Sequence, residues 1–201
     1  MRCLLPWLLV LSLAGCFTAG KRGGDNPMAV YDFGTTAPVL VDAPRTVPVA
    51  LEVRAPLWFD TLGIDYRLAY QDGARLREYA RSRWAGPPAQ LLQQQLARQL
   101  RLAGSGQGKT ECVLRVDITE FSQVFSSPQN SVGVMAGKAS LLDRARKPVG
   151  EMEIQIERPA PTPDARGGVE ALIASVNALA DQLLQWERRL QSSGNPGRCS
   201  G

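Results

Sequence analysis

Between residues 150 and 157 apolar and polar side chains alternate without a break: Gly150, Met152, Ile154 and Ile156 share one face, and Glu151, Glu153, Gln155 and Glu157 share the other. Successive side chains of a strand point to opposite faces, so this pattern dictates a strand with one buried and one wet side. The same period of two runs through Val47, Val49, Leu51 and Val53, through Ile64, Tyr66, Leu68 and Tyr70, and through Cys112, Leu114, Val116 and Ile118. Residues 132–142 add another strand, in which Gly133, Met135, Gly137 and Ala139 make a face small enough for a helix to pack closely. Asp72-Gly73 favours a two-residue hairpin, which would fold a short strand over Ala74 to Tyr79 back on its predecessor.

Two segments change to the helical period. Pro87 and Pro88 suit a first turn, after which Ala89, Leu92, Leu96, Leu100 and Ala103 fall on one face until Gly104-Ser105-Gly106 ends the helix. Thr162-Pro163-Asp164 reads as an N-cap followed by proline at the first helical position, and Val169, Leu172, Ile173, Val176, Leu179, Leu183, Leu184 and Leu190 then predict a long C-terminal helix. Strands joined by short turns and followed twice by a helix predict an α+β domain, a mostly antiparallel sheet with two helices packed on one face.

The N-terminus carries an export signal. Arg2 supplies the positive end and Leu4 to Leu13 a short apolar run, broken by Pro6 and shorter than the roughly 20 residues a membrane span requires. Leu13-Ala14-Gly15-Cys16 resembles at all four positions the lipobox of bacterial lipoproteins, in which the cysteine receives acyl chains and the signal is cut just before it. Two or three chains fix a protein to a bilayer far more durably than one, since each buried methylene contributes about 0.8 kcal/mol. Phe17 stands where an aspartate would resemble the inner-membrane retention mark of enteric-type bacteria, which points to the outer membrane. The chain then divides into a cleaved signal (1–15), a lipidated flexible tether (16–30) rich in Gly, Lys, Asp and Asn, a folded domain (31–192) and a flexible tail (193–201).

Of the four cysteines, Cys3 leaves with the signal and Cys16 is consumed by lipid, leaving Cys112 and Cys199 in an oxidising periplasm. They form either a pair or two free thiols; a bond would close a loop of about 85 residues and add about 4 kcal/mol in the chain-entropy model.

The chain contains no histidine, which removes the commonest general base, the Ser-His and Cys-His nucleophile pairs and most zinc sites. Asp117 with Glu120, or Asp60 with Asp65, are the carboxylate pairs available for acid/base chemistry, but their spacing favours solvated edge positions. Gly104 to Thr110 lacks the glycine spacing of a phosphate loop and follows a helix instead of a strand, so it reads as a turn. The run Gln93-Gln94-Gln95 reads as a solvated helix face. The formal charge is +4, or +3 once Arg2 is removed, and the basic residues lack aromatic interleaving, so neither a nucleic-acid partner nor a cofactor or metal is expected. Trp58-Phe59 and Arg83-Trp84 combine aromatic and basic residues of the kind enriched in binding hot spots, and Trp58, Arg83 and Trp84 are the candidate partner contacts.

The order of Tyr31-Asp32-Phe33-Gly34, Val53 to Asp60, Ile64 to Leu68, Arg83-Trp84-Ala85-Gly86-Pro87-Pro88 and Phe121-Ser122-Gln123-Val124-Phe125 resembles the ABC-type transport auxiliary lipoproteins, the family of paraquat-inducible protein C. The resemblance implies a non-enzymatic outer-membrane lipoprotein that faces the periplasm, serves an MCE-type ABC system for intermembrane lipid transport and binds its MCE-domain protein, with a homo-oligomer as a further expectation. The alternatives are a scaffold or assembly lipoprotein for outer-membrane or cell-wall partners, and an anchored hydrolase.

Overall fold

The computed structural model describes residues 27–45, 47–104, 110–193 and 199. Its organising element is the 16-residue strand β6 (Cys112–Ser127). Along one side β6 pairs antiparallel with β7 (Asn130–Leu142), which pairs antiparallel with β8 (Pro148–Pro159). The other side of β6 is shared by two strands at different heights. β2 (Val49–Arg54) lies parallel to residues 112–117, and β3 (Gly63–Leu68) lies parallel to residues 123–125. β4 (Gly73–Trp84) returns antiparallel on β3, β1 (Ala29–Tyr31) adds a parallel edge to β4, and β5 (Ala103–Gly104) adds one to β2.

The sheet is therefore mixed, which corrects the expectation of a mostly antiparallel one. Parallel neighbours need a crossover. The chain supplies it by running β2, β3, β4 and then a helix before β6, so that strands separated in sequence become neighbours on one side of β6. Among the described residues three α-helices accompany the sheet: α1 (Ala69–Asp72), α2 (Pro88–Leu100) and α3 (Ala165–Ser192). The four-residue α1 stands where a two-residue turn at Asp72-Gly73 was expected, and β4 continues past Tyr79 to Trp84.

One continuous core lies between α2, α3 and the inner face of the sheet. Leu92, Leu96 and Leu100 of α2 and Leu172, Val176, Leu179 and Leu183 of α3 meet Leu51, Leu114, Val116, Met135, Ile154 and Ile156. A bulge between Ile118 and Glu120 shifts the phase of β6, so that Ile118 and Phe121 both enter this core despite their odd separation. Gly133 admits α3: a Cβ there would lie 2.8 Å from the Leu172 amide nitrogen, so the helix backbone rests on the sheet backbone.

Both helix boundaries differ from those expected. α2 stops at Leu100 because Arg101 takes a left-handed conformation (φ 49°), and Ala103 belongs to β5. α3 is capped by Asp164, whose Oδ1 accepts from the Gly167 amide at 2.8 Å and from the Thr162 hydroxyl. These hydrogen bonds hold the Asp164 carboxyl below its ordinary range.

Candidate functional site

No expected partner cluster forms around both tryptophans. Trp58 lies in a 3-10 turn (Leu57–Phe59) whose residues divide: Phe59 is buried, whereas Leu57 is 88% and Trp58 63% exposed. The end of β4 divides the same way. Trp84 is 1% exposed, set edge-on to Phe33 at 5.3 Å and against Phe121 at 5.9 Å, so its indole is core and unavailable to a partner. Its neighbour Arg83 faces solvent and pairs across the sheet with Val30 and Gly63. Trp58 and Arg83 thus stay on the surface while Trp84 organises the packing beneath them.

Strand β8 offers a second surface. Among the described residues it pairs with β7 alone, and its outer side chains Glu151, Glu153, Gln155 and Glu157 are exposed. Lys138 of β7 reaches Glu151 at 2.9 Å, which raises the lysine pKa. Towards the middle of the sheet the charges are paired more tightly. Burial opposes ionisation of Glu52, but hydrogen bonds from Arg54 and Arg115 outweigh it and lower its pKa.

The carboxylates weighed for acid/base chemistry occupy structural positions. Asp117 and Glu120 both lie on β6: Asp117 is flanked by Arg54 and Lys138, whereas Glu120 pairs with Ala136 on one side, in the gap between β2 and β3, and is bound by Arg67 at 3.0 Å. Asp60 ends the 3-10 turn, whereas Asp65 lies in β3, where burial first, and then Glu78 and Glu120, push its pKa up to about 6. Among the described residues no group of three His, Cys, Asp or Glu side chains could hold a metal ion.

Cys112 and Cys199 are joined in a disulfide, with Cα atoms 5.6 Å apart and both residues buried. Cys16, the signal and most of the tether lie outside the described residues, as does most of the loop from Gly104 to Thr110. Among the described residues, no helix is long and apolar enough to cross a membrane.

Several buried polar groups are invisible to a polarity pattern. Gln95 and Gln99 of α2 are buried, contrary to the solvated face expected for Gln95, and the Gln99 amide donates to Asn177 of α3 at 3.1 Å. Their four-residue spacing on the leucine-bearing side of α2 was the available signal. Gln123 is buried between β4, β7 and α3: its Oε1 accepts from the Tyr79 hydroxyl at 2.7 Å and its amide donates to Ser131 at 2.8 Å. Burial holds the Tyr79 phenol above its ordinary pKa, so it remains a donor.

A family model described as the ABC-type transport auxiliary lipoprotein component matches residues 41–184, well over half of the chain. No curated protein matches in sequence. Among solved structures, protein XCC0632 from Xanthomonas campestris is similar with a TM-score of 0.70 at 15% identity, over 83% of this chain and 98% of that one. An uncharacterized protein is similar with a TM-score of 0.62 at 13% identity, over 79% of this chain and 97% of that one. These structures share the fold, and the sequence match to the family carries the assignment: the chain belongs to the ABC-type transport auxiliary lipoprotein components.

Proposed function

We propose that this lipoprotein is the outer-membrane docking component of an MCE-type ABC system that moves lipids between membranes. The observation that carries the reading is the family match over residues 41–184, and the lipobox at 13–16 with Phe17 after it supports attachment to the outer membrane. In this reading the acyl anchor on Cys16 fixes one end, the folded domain holds the periplasmic MCE-domain protein, and ATP is hydrolysed in another subunit. The domain contributes binding and position, with no bond made or broken by its own side chains.

The surface best suited to the partner is the free edge of β8. Among the described residues nothing pairs with the outer side of this 12-residue strand, the geometry by which an extended segment adds to a sheet. A photo-crosslinking residue at Gln155, in membranes of cells making the full transport system, tests this. Cross-linking to the MCE-domain protein is the expected result; cross-linking only to outer-membrane barrels or cell-wall proteins would favour the scaffold reading.

A further inference from the structure

Single apolar side chains on a protein surface are ordinary, but a cluster of them calls for an occupant. Eight large hydrophobic residues are exposed among the described residues, and five of them, Met28, Val30, Leu57, Trp58 and Leu62, belong to two segments, one entering and forming β1 and one leading into β3, the strands on either side of the end of β4. The corner is built by backbone pairing. Val30 and Gly63 flank Arg83 on either side, the Trp84 amide donates to the Leu62 carbonyl at 2.7 Å, and the Ala85 amide donates to the Tyr31 carbonyl at 2.7 Å. Met28, Leu62 and Arg83 line a common groove, and the turn bearing Leu57 and Trp58 ends at Phe59, three residues before Leu62.

Two further observations bear on what could cover this corner. The first is where the chain enters. Pro27 is eleven residues from Cys16, a distance that fully extended chain spans in at most about 40 Å, and Met28 and Val30 immediately follow it. Met28 and Val30 therefore place one side of the apolar corner next to the acyl anchor along the chain. The second is charge. Arg81 and Arg83 are exposed beside the corner and have no ion pair among the described residues, and Glu78 is the one acid lining the groove. Aliphatic side chains, an amphipathic indole and free guanidinium groups together match the boundary between acyl chains and anionic headgroups, where tryptophan collects and arginine snorkels.

We infer that the corner formed by Met28, Val30, Leu57, Trp58 and Leu62 rests in the interface of the phospholipid leaflet that holds the acyl anchor, with Arg81 and Arg83 against its phosphates. The inference rests on the lipid-anchor reading of Cys16. A domain seated this way has a fixed orientation, with the 3-10 turn towards the lipid, instead of pivoting on its lipid.

Trp58 reports directly on this, because Trp84 and Trp186, the other tryptophans of the folded domain, are buried. The lipidated full chain and its Trp58→Phe variant are reconstituted into vesicles of phosphatidylethanolamine and phosphatidylglycerol, with and without brominated acyl chains, and flotation is measured in parallel. The difference in emission between the two proteins isolates Trp58. The expected result is a blue-shifted difference signal that brominated lipid quenches and aqueous acrylamide does not, and that Leu57→Gln weakens. A chain that floats while its Trp58 signal ignores brominated lipid and stays open to acrylamide overturns the inference and leaves the anchor intact. Failure to float overturns the anchor reading itself, and shielding of Trp58 only after an MCE-domain protein is added assigns the corner to a protein partner and overturns the lipid assignment.

Discussion

Arg45 grips Glu187 of α3 with both terminal guanidinium nitrogens, and its Nε donates to the Leu100 carbonyl at 2.9 Å, where α2 ends. The two side chains are only 7% and 12% exposed, so this ion pair ties the segment before β2 to both helices in a largely dry setting. Removing one partner leaves the other buried and unpaired. Arg45→Ala is expected to cost about 3 kcal/mol, and Glu187→Ala a similar amount, while the double variant loses less than their sum. Urea denaturation of the four proteins measures this as a coupling energy.

Two glycines set how closely α3 approaches the sheet. A Cβ at Gly133 would meet helix backbone at 2.8 Å, and one at Gly168 would fall 2.1 Å from Gln123 Oε1, the atom that already accepts from Tyr79. Gly133→Ala and Gly168→Ala are each expected to lower stability by about 2 kcal/mol through overpacking. At Gly168 part of the loss should persist in a Tyr79→Phe background, because the clash does not require the phenol. Thermal melts of the single and double variants check both statements.

Asp65 makes stability depend on pH with a defined sign. Burial and the charges of Glu78 and Glu120 raise its pKa from 3.8 to about 6, with Arg67 opposing. Between these values the folded chain retains a proton that the unfolded chain has released, so this residue's contribution falls as pH rises from about 4 to 6 and stays low above. Asp65→Asn is expected to stabilise the protein at pH 7 by on the order of 1 to 2 kcal/mol, and to match the wild type near pH 4. Denaturant midpoints across that range decide it; an equal difference at both ends would contradict the assignment.

The disulfide between Cys112 and Cys199 spans 87 residues and ties the C-terminal end of the chain to β6. Cys199→Ser is expected to lower stability by up to about 4 kcal/mol, the size the chain-entropy model gives such a loop. The variant and the reduced wild type should melt together. Separate melting temperatures would mean that the serine does more than open the bond.

Much of the fold was legible because its segments obey one period at a time. β8 and α3 follow from their apolar spacing, and the small face of β7 foretold the contact at Gly133. The parallel pairs were not legible: a period of two shows that Leu51 and Leu114 each face a core, and carries no information that β2 lies beside β6 across three intervening strands and two α-helices. β4 was partly hidden because its first half, from Gly73, is largely exposed and carries charge on both faces. At the surface, Trp58-Phe59 and Arg83-Trp84 looked like units, yet adjacent residues on extended or tightly turned backbone point apart, and each pair splits into one core and one surface side chain. Arg45 gave no sign, since its partner lies 142 residues away in sequence.

The docking role is tested most directly by isolating the protein and its Cys16→Ala variant from gently solubilised membranes, identifying co-purified proteins by mass spectrometry, and assigning each to the inner or outer membrane by density. With a docking role, the wild type sediments with the outer membrane and brings down an MCE-domain protein of an ABC system, and Cys16→Ala leaves the membrane fraction. Wild type found in the inner membrane, or recovered only with outer-membrane barrels and cell-wall proteins, would contradict it.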